Sequence, residues 1–239
     1  MRTSNTLISC TSERWRERRS AGPAAAAGRP RRAGLDTGDI GGNVVAMSVA
    51  PLPVTAAWQH RGLRSGFEVV YFSAAGDRSR IEGWTTAIED GATWVVEYAI
   101  EVDAAGATRS AAIRGRSAAG SCTARLEADG NGRWLVNGQP APRLDGCLDV
   151  DMESSALTNA LPVRRMDLPV AGAAAAPAAY VRAVGLAVQR LEQVYARTAD
   201  QAGRQRYDYA APDFDFAARL VYDESGLVLD YPGIAARAG

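Results

Sequence analysis

From Ala92 to Val102 the chain alternates. Trp94, Val96, Tyr98, Ile100 and Val102 fall on one face, and Thr93, Glu97 and Glu101 on the other. A period of two is the pattern of a strand with one face buried. Phe214–Tyr222 repeats it, with Phe214, Phe216, Ala218, Leu220 and Tyr222 set against Asp213, Asp215 and Arg219. Shorter alternations at 67–72, 80–86, 108–116, 122–128, 148–152 and 206–209 predict further strands. Turn residues separate them: Asp90-Gly91, Ala105-Gly106, Asp129-Gly130-Asn131-Gly132, Asn137-Gly138 and Glu224-Ser225-Gly226. Short strands with frequent turns predict a mainly β chain, as an antiparallel sandwich, barrel or part-barrel. The Ala-rich stretch 170–179, with Gly172 and Pro177, reads as a loop. Residues 184–197 fit an amphipathic helix through Val184, Val188, Leu191 and Tyr195, and equally two short strands; the β-formers Val194 and Tyr195 tilt the reading toward extended backbone.

Residues 1–46 follow no period. Eight arginines (2, 14, 16, 18, 19, 29, 31, 32) against four acids (13, 17, 36, 39) give +4, so the other 193 residues carry −4. Rich in Ser, Ala, Gly, Pro and Arg, this stretch cannot bury enough apolar surface to offset ordering, and a disordered arm is expected. A single mainly β domain is expected over 47–239, with the folded part starting near Met47. Leu7-Ile8-Ser9-Cys10 faintly resembles a lipoprotein cleavage box, but there is no room before it for the apolar run that a signal peptide needs. No stretch of roughly eighteen apolar residues predicts a transmembrane segment, and a cytoplasmic protein is expected.

Composition narrows the chemistry. The formal net charge is zero, which argues against a nucleic-acid partner held by bulk charge. All 27 basic residues are Arg, so a Schiff-base lysine, a pyridoxal phosphate anchor and a phosphate-loop lysine are excluded. One His and three Cys leave little for a metal site, and no metal or cofactor is expected. His60, in Gln59-His60-Arg61-Gly62, reads as an exposed loop residue. Cys122 and Cys147 read as small buried hydrophobes, and Trp58, Trp84, Trp94 and Trp134 as core.

The densest polar region is Asp149-Val150-Asp151, followed by Thr158-Asn159 and Arg164-Arg165. On a strand the two aspartates share a face. They could act as an acid/base pair, hold a hard cation, or pair with nearby arginines. Thr158 and Asn159 before Pro162 suit a turn fixed by side-chain hydrogen bonds. If extended, Arg164 and Arg165 point to opposite faces, so at most one faces inward, where it would anchor an acid or a ligand.

Gly146-Cys147-Leu148-Asp149-Val150-Asp151-Met152, then Thr158-Asn159-Ala160-Leu161-Pro162-Val163-Arg164-Arg165-Met166, resembles the bacterial "putative glycolipid-binding" family, whose hallmark runs D-[VI]-D-L into T-N-T-L-P-[IV]-R-R-L. Leu191-Glu192-Gln193 with Tyr195, Tyr207-Asp208-Tyr209, and Asp223 with Gly226–Gly233 follow in order. Upstream, Trp58, Gly66-Phe67-Glu68, Gly83 and Tyr98 fall where the family carries similar residues. The resemblance spans about residues 56–237. Ala160 replaces the second Thr, and Ser154-Ser155-Ala156-Leu157 is a weakened version of the family's run. The resemblance implies a rolled antiparallel sheet similar to the half-barrel of bacterial lipoprotein carriers, with little helix, whose concave apolar face buries acyl chains. It implies non-enzymatic binding of a lipid or glycolipid. Asp149, Asp151, Thr158, Asn159, Arg164 and Arg165 would orient a head group, with Trp58, Glu68 and Tyr98 completing the site. One rival is a hydrolase-like enzyme using Asp149 and Asp151 with Glu68 or His60, which requires those groups to converge. Another is an interaction module whose interior its own side chains fill.

Overall fold

The computed structural model describes residues 49–239, so the arm expected over 1–46, with Cys10 and the start near Met47, lies outside the described residues. The described residues are mainly β with one short helix, as the alternation predicts. An antiparallel run opens it: β1 (Thr55–His60), β2 (Arg64–Ala75), β3 (Arg78–Glu89), β4 (Ala92–Val102), β5 (Thr108–Ser117), β6 (Gly120–Ala128), β7 (Trp134–Val136) and β8 (Gln139–Pro140). Next come β9 (Asp149–Met152), α1 (Ala160–Met166), β10 (Ala173–Ala175), β11 (Ala178–Val181) and β12 (Val188–Leu191). A second run closes the chain: β13 (Val194–Gln201), β14 (Arg204–Ala211), β15 (Phe216–Tyr222), β16 (Val228–Tyr231) and β17 (Ala235–Arg237).

The two runs form one open sheet of 14 strands, in the order β10-β13-β14-β15-β16-β17-β1-β2-β3-β4-β5-β6-β7-β8. The seam is the β1–β17 pair, where Trp58 faces Arg237. β12, β11 and β9 make a separate small sheet, with β11 parallel to β9 and antiparallel to β12. Tight turns set the long registers. Asp90-Gly91 and Asn137-Gly138 each place two successive residues at positive φ, the conformation that matches strand twist in a two-residue hairpin. Ala202-Gly203 does the same without the usual Asn or Asp.

One buried cluster joins the inward faces of β1–β6 to the chain that crosses beneath them. Trp58, Val70, Ile81, Tyr98, Ile100, Ile113 and Leu126 pack against Leu144, Cys147, Val150, Met152, Leu157 and Leu161. A second cluster lies under β13–β16, built on Tyr180, Tyr195, Tyr207, Tyr209, Tyr222 and Tyr231. The hollow that acyl chains would need is therefore occupied by residues 141–163. The two recesses that reach this interior hold only about 40 Å³ each.

Several local readings are corrected. Residues 170–179 are not a loop throughout: β10 pairs with β13, and β11 starts at Ala178, where small side chains let it sink between its neighbours. Residues 184–197 become β12 and β13, because Gly185 and Leu186 both take positive φ and break any helix there. Phe214 ends a 3₁₀ turn over Pro212–Phe214, and the strand begins only at Phe216. Arg164 and Arg165 are helical rather than extended. Pro162 sits in the first turn of α1, where its missing N–H costs no helical bond, and left-handed Asp167 ends the helix. His60 is not a loop residue but the buried end of β1. Trp58, Trp94 and Trp134 are core, whereas Trp84 points outward and is 41% exposed. Cys147 is fully buried, with burial pushing its thiol up to about 11, and Cys122 is half-buried; both are free thiols.

Candidate functional site

The nine residues singled out in the sequence separate into two groups. Asp149 is buried, and Arg165 grips it with two bonds, Nε to Oδ1 at 3.1 Å and Nη2 to Oδ2 at 2.7 Å. Burial raises its pKa and Arg165 opposes the rise. Arg164 donates to the carbonyls of Ala50 and Ser225 and so ties α1 to two loops. Trp58 donates from Nε1 to the Val228 carbonyl at 2.7 Å, with the Arg237 guanidinium over its ring. Glu68 is sealed inside the core. It accepts from Tyr98 Oη at 2.6 Å, from Ser155 Oγ, and from the Ala156 amide at 2.8 Å. Burial raises the Glu68 pKa against those three bonds. Thr158 accepts from the Met152 amide at 3.1 Å and donates to Asp151 Oδ1 at 2.8 Å, the local turn bonding its sequence suggested.

Asp151 and Asn159 reach a recess. Asp151 accepts from Thr158 and from Gln193 Nε2, which lies 3.1 Å from Tyr209 Oη. Burial first, and then the charges of Asp149 and Glu153, push the Asp151 carboxyl up to about 6. Asn159 Oδ1 accepts from Tyr195 Oη at 3.0 Å, and its carbonyl from Tyr222 Oη at 3.3 Å. The recess lies between the small sheet and the β14–β16 face, with Tyr180, Tyr209, Phe214, Phe216 and Tyr231 around it. Their rings are in contact: Tyr209 with Phe216 at 6.0 Å, Phe216 with Tyr231 at 5.9 Å, and Tyr180 with Phe214 at 5.2 Å between centroids.

Arg64 also lines the recess, and the sequence reading passed over it. It is 5% exposed. Nη2 donates to the Glu153 carbonyl at 2.8 Å, and the guanidinium lies 5.4 Å from the Trp94 ring centroid. Among the described residues, Nη1 is buried without a hydrogen-bond partner and no carboxylate forms a salt bridge with Arg64. Strand parity could have found it: Glu68 and Val70 face inward, and two steps back along the strand lead to Arg64. His60 nearby is held neutral, its pKa lowered to about 4 by burial and by the Arg64 charge.

A second concavity of about 300 Å³ crosses the outer face of β3–β6 beside Trp84, but its guanidinium groups are paired, Arg80 with Glu82 and Glu101, Arg114 with Glu97 and Arg125 with Glu127. Among the described residues no cluster of three or more His, Cys, Asp and Glu side chains is placed to hold a metal, and no helix is long and apolar enough to cross a membrane.

The family described as "Putative glycolipid-binding" matches residues 55–237. The crystal structure of a DUF1089 family protein from Pseudomonas aeruginosa is 31% identical, covers 72% of this chain and 92% of its own, and superposes with a TM-score of 0.60. A β-barrel-like protein of domain of unknown function DUF1849 from Brucella abortus is 10% identical, covers 77% of this chain and 93% of its own, and reaches a TM-score of 0.44. No curated protein matches the chain.

Proposed function

Because the chain belongs to the "Putative glycolipid-binding" family, we propose that it binds the polar head group of a glycolipid in the recess around Asp151, Asn159 and Arg64, with the acyl chains left outside the packed interior. The observation that carries this reading is the meeting, in one recess, of several aromatic rings with a carboxylate, an amide and a guanidinium. Such a lining offers apolar ring surface together with a few convergent polar groups, the usual make-up of a small-molecule site. The filled interior is what moves the ligand outward: residues 141–163 occupy the space that acyl chains would need. The two-carboxylate enzyme loses its support, since Arg165 grips Asp149 and Glu68 is closed within the core.

The test is saturation-transfer NMR and calorimetry with octyl glucoside and octyl galactoside below their micelle concentrations. We expect binding that Phe216→Ala weakens about tenfold, the loss of one stacked aromatic face. If neither glycoside binds at millimolar concentration, or if Phe216→Ala binds as the wild type does, the reading fails.

A further inference from the structure

We infer that the head group carries an anion, a carboxylate or a phosphate, which seats on Arg64 Nη1. This rests on the head-group reading above and adds its chemical class. A guanidinium brought out of water needs an opposite charge and full hydrogen bonding; otherwise its desolvation goes uncompensated. Among the described residues Arg64 has neither, since its side-chain hydrogen bond goes to a backbone carbonyl and Nη1 has no partner.

The other charged groups of the recess are already engaged. Asp151 accepts from Thr158 and Gln193. Glu153 pairs with Arg182 at 3.3 Å and accepts from the Ala183 amide at 2.9 Å. What remains is a planar donor on a side chain that lines the recess. Planar N–H donors suit carboxylate and phosphate oxygens better than they suit a hydroxyl. Size agrees as well. The recess has room for about 40 Å³, a small charged group rather than a whole sugar ring, so the ring would rest at the aromatic mouth. The Asp151 charge opposes the anion, which gives the two residues opposite and separable effects.

The experiment compares octyl glucuronide with octyl glucoside, which differ by a carboxylate, and adds inorganic phosphate as a free anion. Affinities are read by calorimetry on the full chain. Octyl glucuronide should bind about tenfold tighter than octyl glucoside, as expected for a charge-assisted bond. Arg64→Gln should abolish that ratio and Asp151→Asn should enlarge it, and the ratio cancels whatever either substitution costs octyl glucoside itself. Arg64→Lys, which keeps the charge, should preserve part of the ratio and guards against an Arg64→Gln chain that fails to fold. Equal binding of the two glycosides overturns the inference while the head-group reading stands, and Nη1 is then served by water. Failure of both glycosides overturns both. Phosphate binding as tightly as octyl glucuronide overturns the lipid source of the anion.

Discussion

Asp151→Asn turns the burial of one carboxyl into a pH measurement. Asp151 is 7% exposed, and its pKa rises from 3.8 to about 6 on folding. Between those values the folded chain holds a proton that the unfolded chain has released. Stability is therefore greatest below about pH 4 for this group and falls as pH climbs through 6. Two pKa units correspond to about 3 kcal/mol. The wild-type curve alone is not diagnostic, because His60 works the other way. Its pKa falls from 6.5 to about 4 on folding, so its contribution grows with pH over much of the same window. Subtracting the Asp151→Asn curve removes His60 and Glu68, which are common to both proteins. The difference in unfolding free energy, wild type minus variant, should drop by about 3 kcal/mol from pH 4 to pH 6.5 and then level off. Urea titrations followed by circular dichroism at half-unit pH steps measure it, provided the slope with urea is unchanged. The new amide is accommodated if Gln193 flips, so that its oxygen accepts from both the amide and Tyr209. A flat difference would mean that Asp151 titrates as a solvated acid. A rising one would mean that a cation stabilises it. Either result refutes the sealed-carboxyl argument.

Gly83→Ala should be costly, because a β-carbon there would lie 2.1 Å from Cζ and 2.2 Å from Oη of Tyr98, whose hydroxyl holds Glu68. Urea unfolding should show a loss of about 1–3 kcal/mol, and a loss within measurement error would mean that Tyr98 can move aside. Arg165→Ala strands the buried Asp149 and should cost about 3–5 kcal/mol, whereas the paired replacement Asp149→Leu with Arg165→Met should recover most of it; a double-mutant cycle without coupling would refute the buried-pair assignment. The His60 imidazole should keep constant NMR shifts from pH 8 down to about 5 and titrate near 4; a midpoint near 6.5 would put it in solvent.

Period-two alternation was enough to find the strands, because one face of each is buried and register follows the pleat. It was not enough where residue type was allowed to overrule parity. Trp84 shares its face with Arg80, Glu82 and Thr86, so alternation alone puts it outside, although Trp favours the core. Arg64 is the reverse case, an arginine that parity places inside. β10 and β11 were missed because alanines carry no amphipathic signal. What makes them strands is distant: the backbone of β13 for one, and β9 and β12 for the other. The sequence of the dense polar motif could not separate a head-group site from a bracket that holds α1 against β9. Of the nine residues nominated there, only Asp151 and Asn159 reach the recess, and the aromatic side comes from β11 and β14–β16.

Among the described residues the large sheet does not close, and its two end strands have no neighbour on one side. One is the two-residue β8, where Pro140 has no amide hydrogen to offer, and the other is the three-alanine β10. Edges this short, one of them blunted by proline, present little template for another molecule to extend. Those two borders therefore give a neighbouring chain little backbone to pair with. Lengthening either border, by replacing Pro140 or extending the alanine run with valines, would put that protection at risk before it disturbed the core.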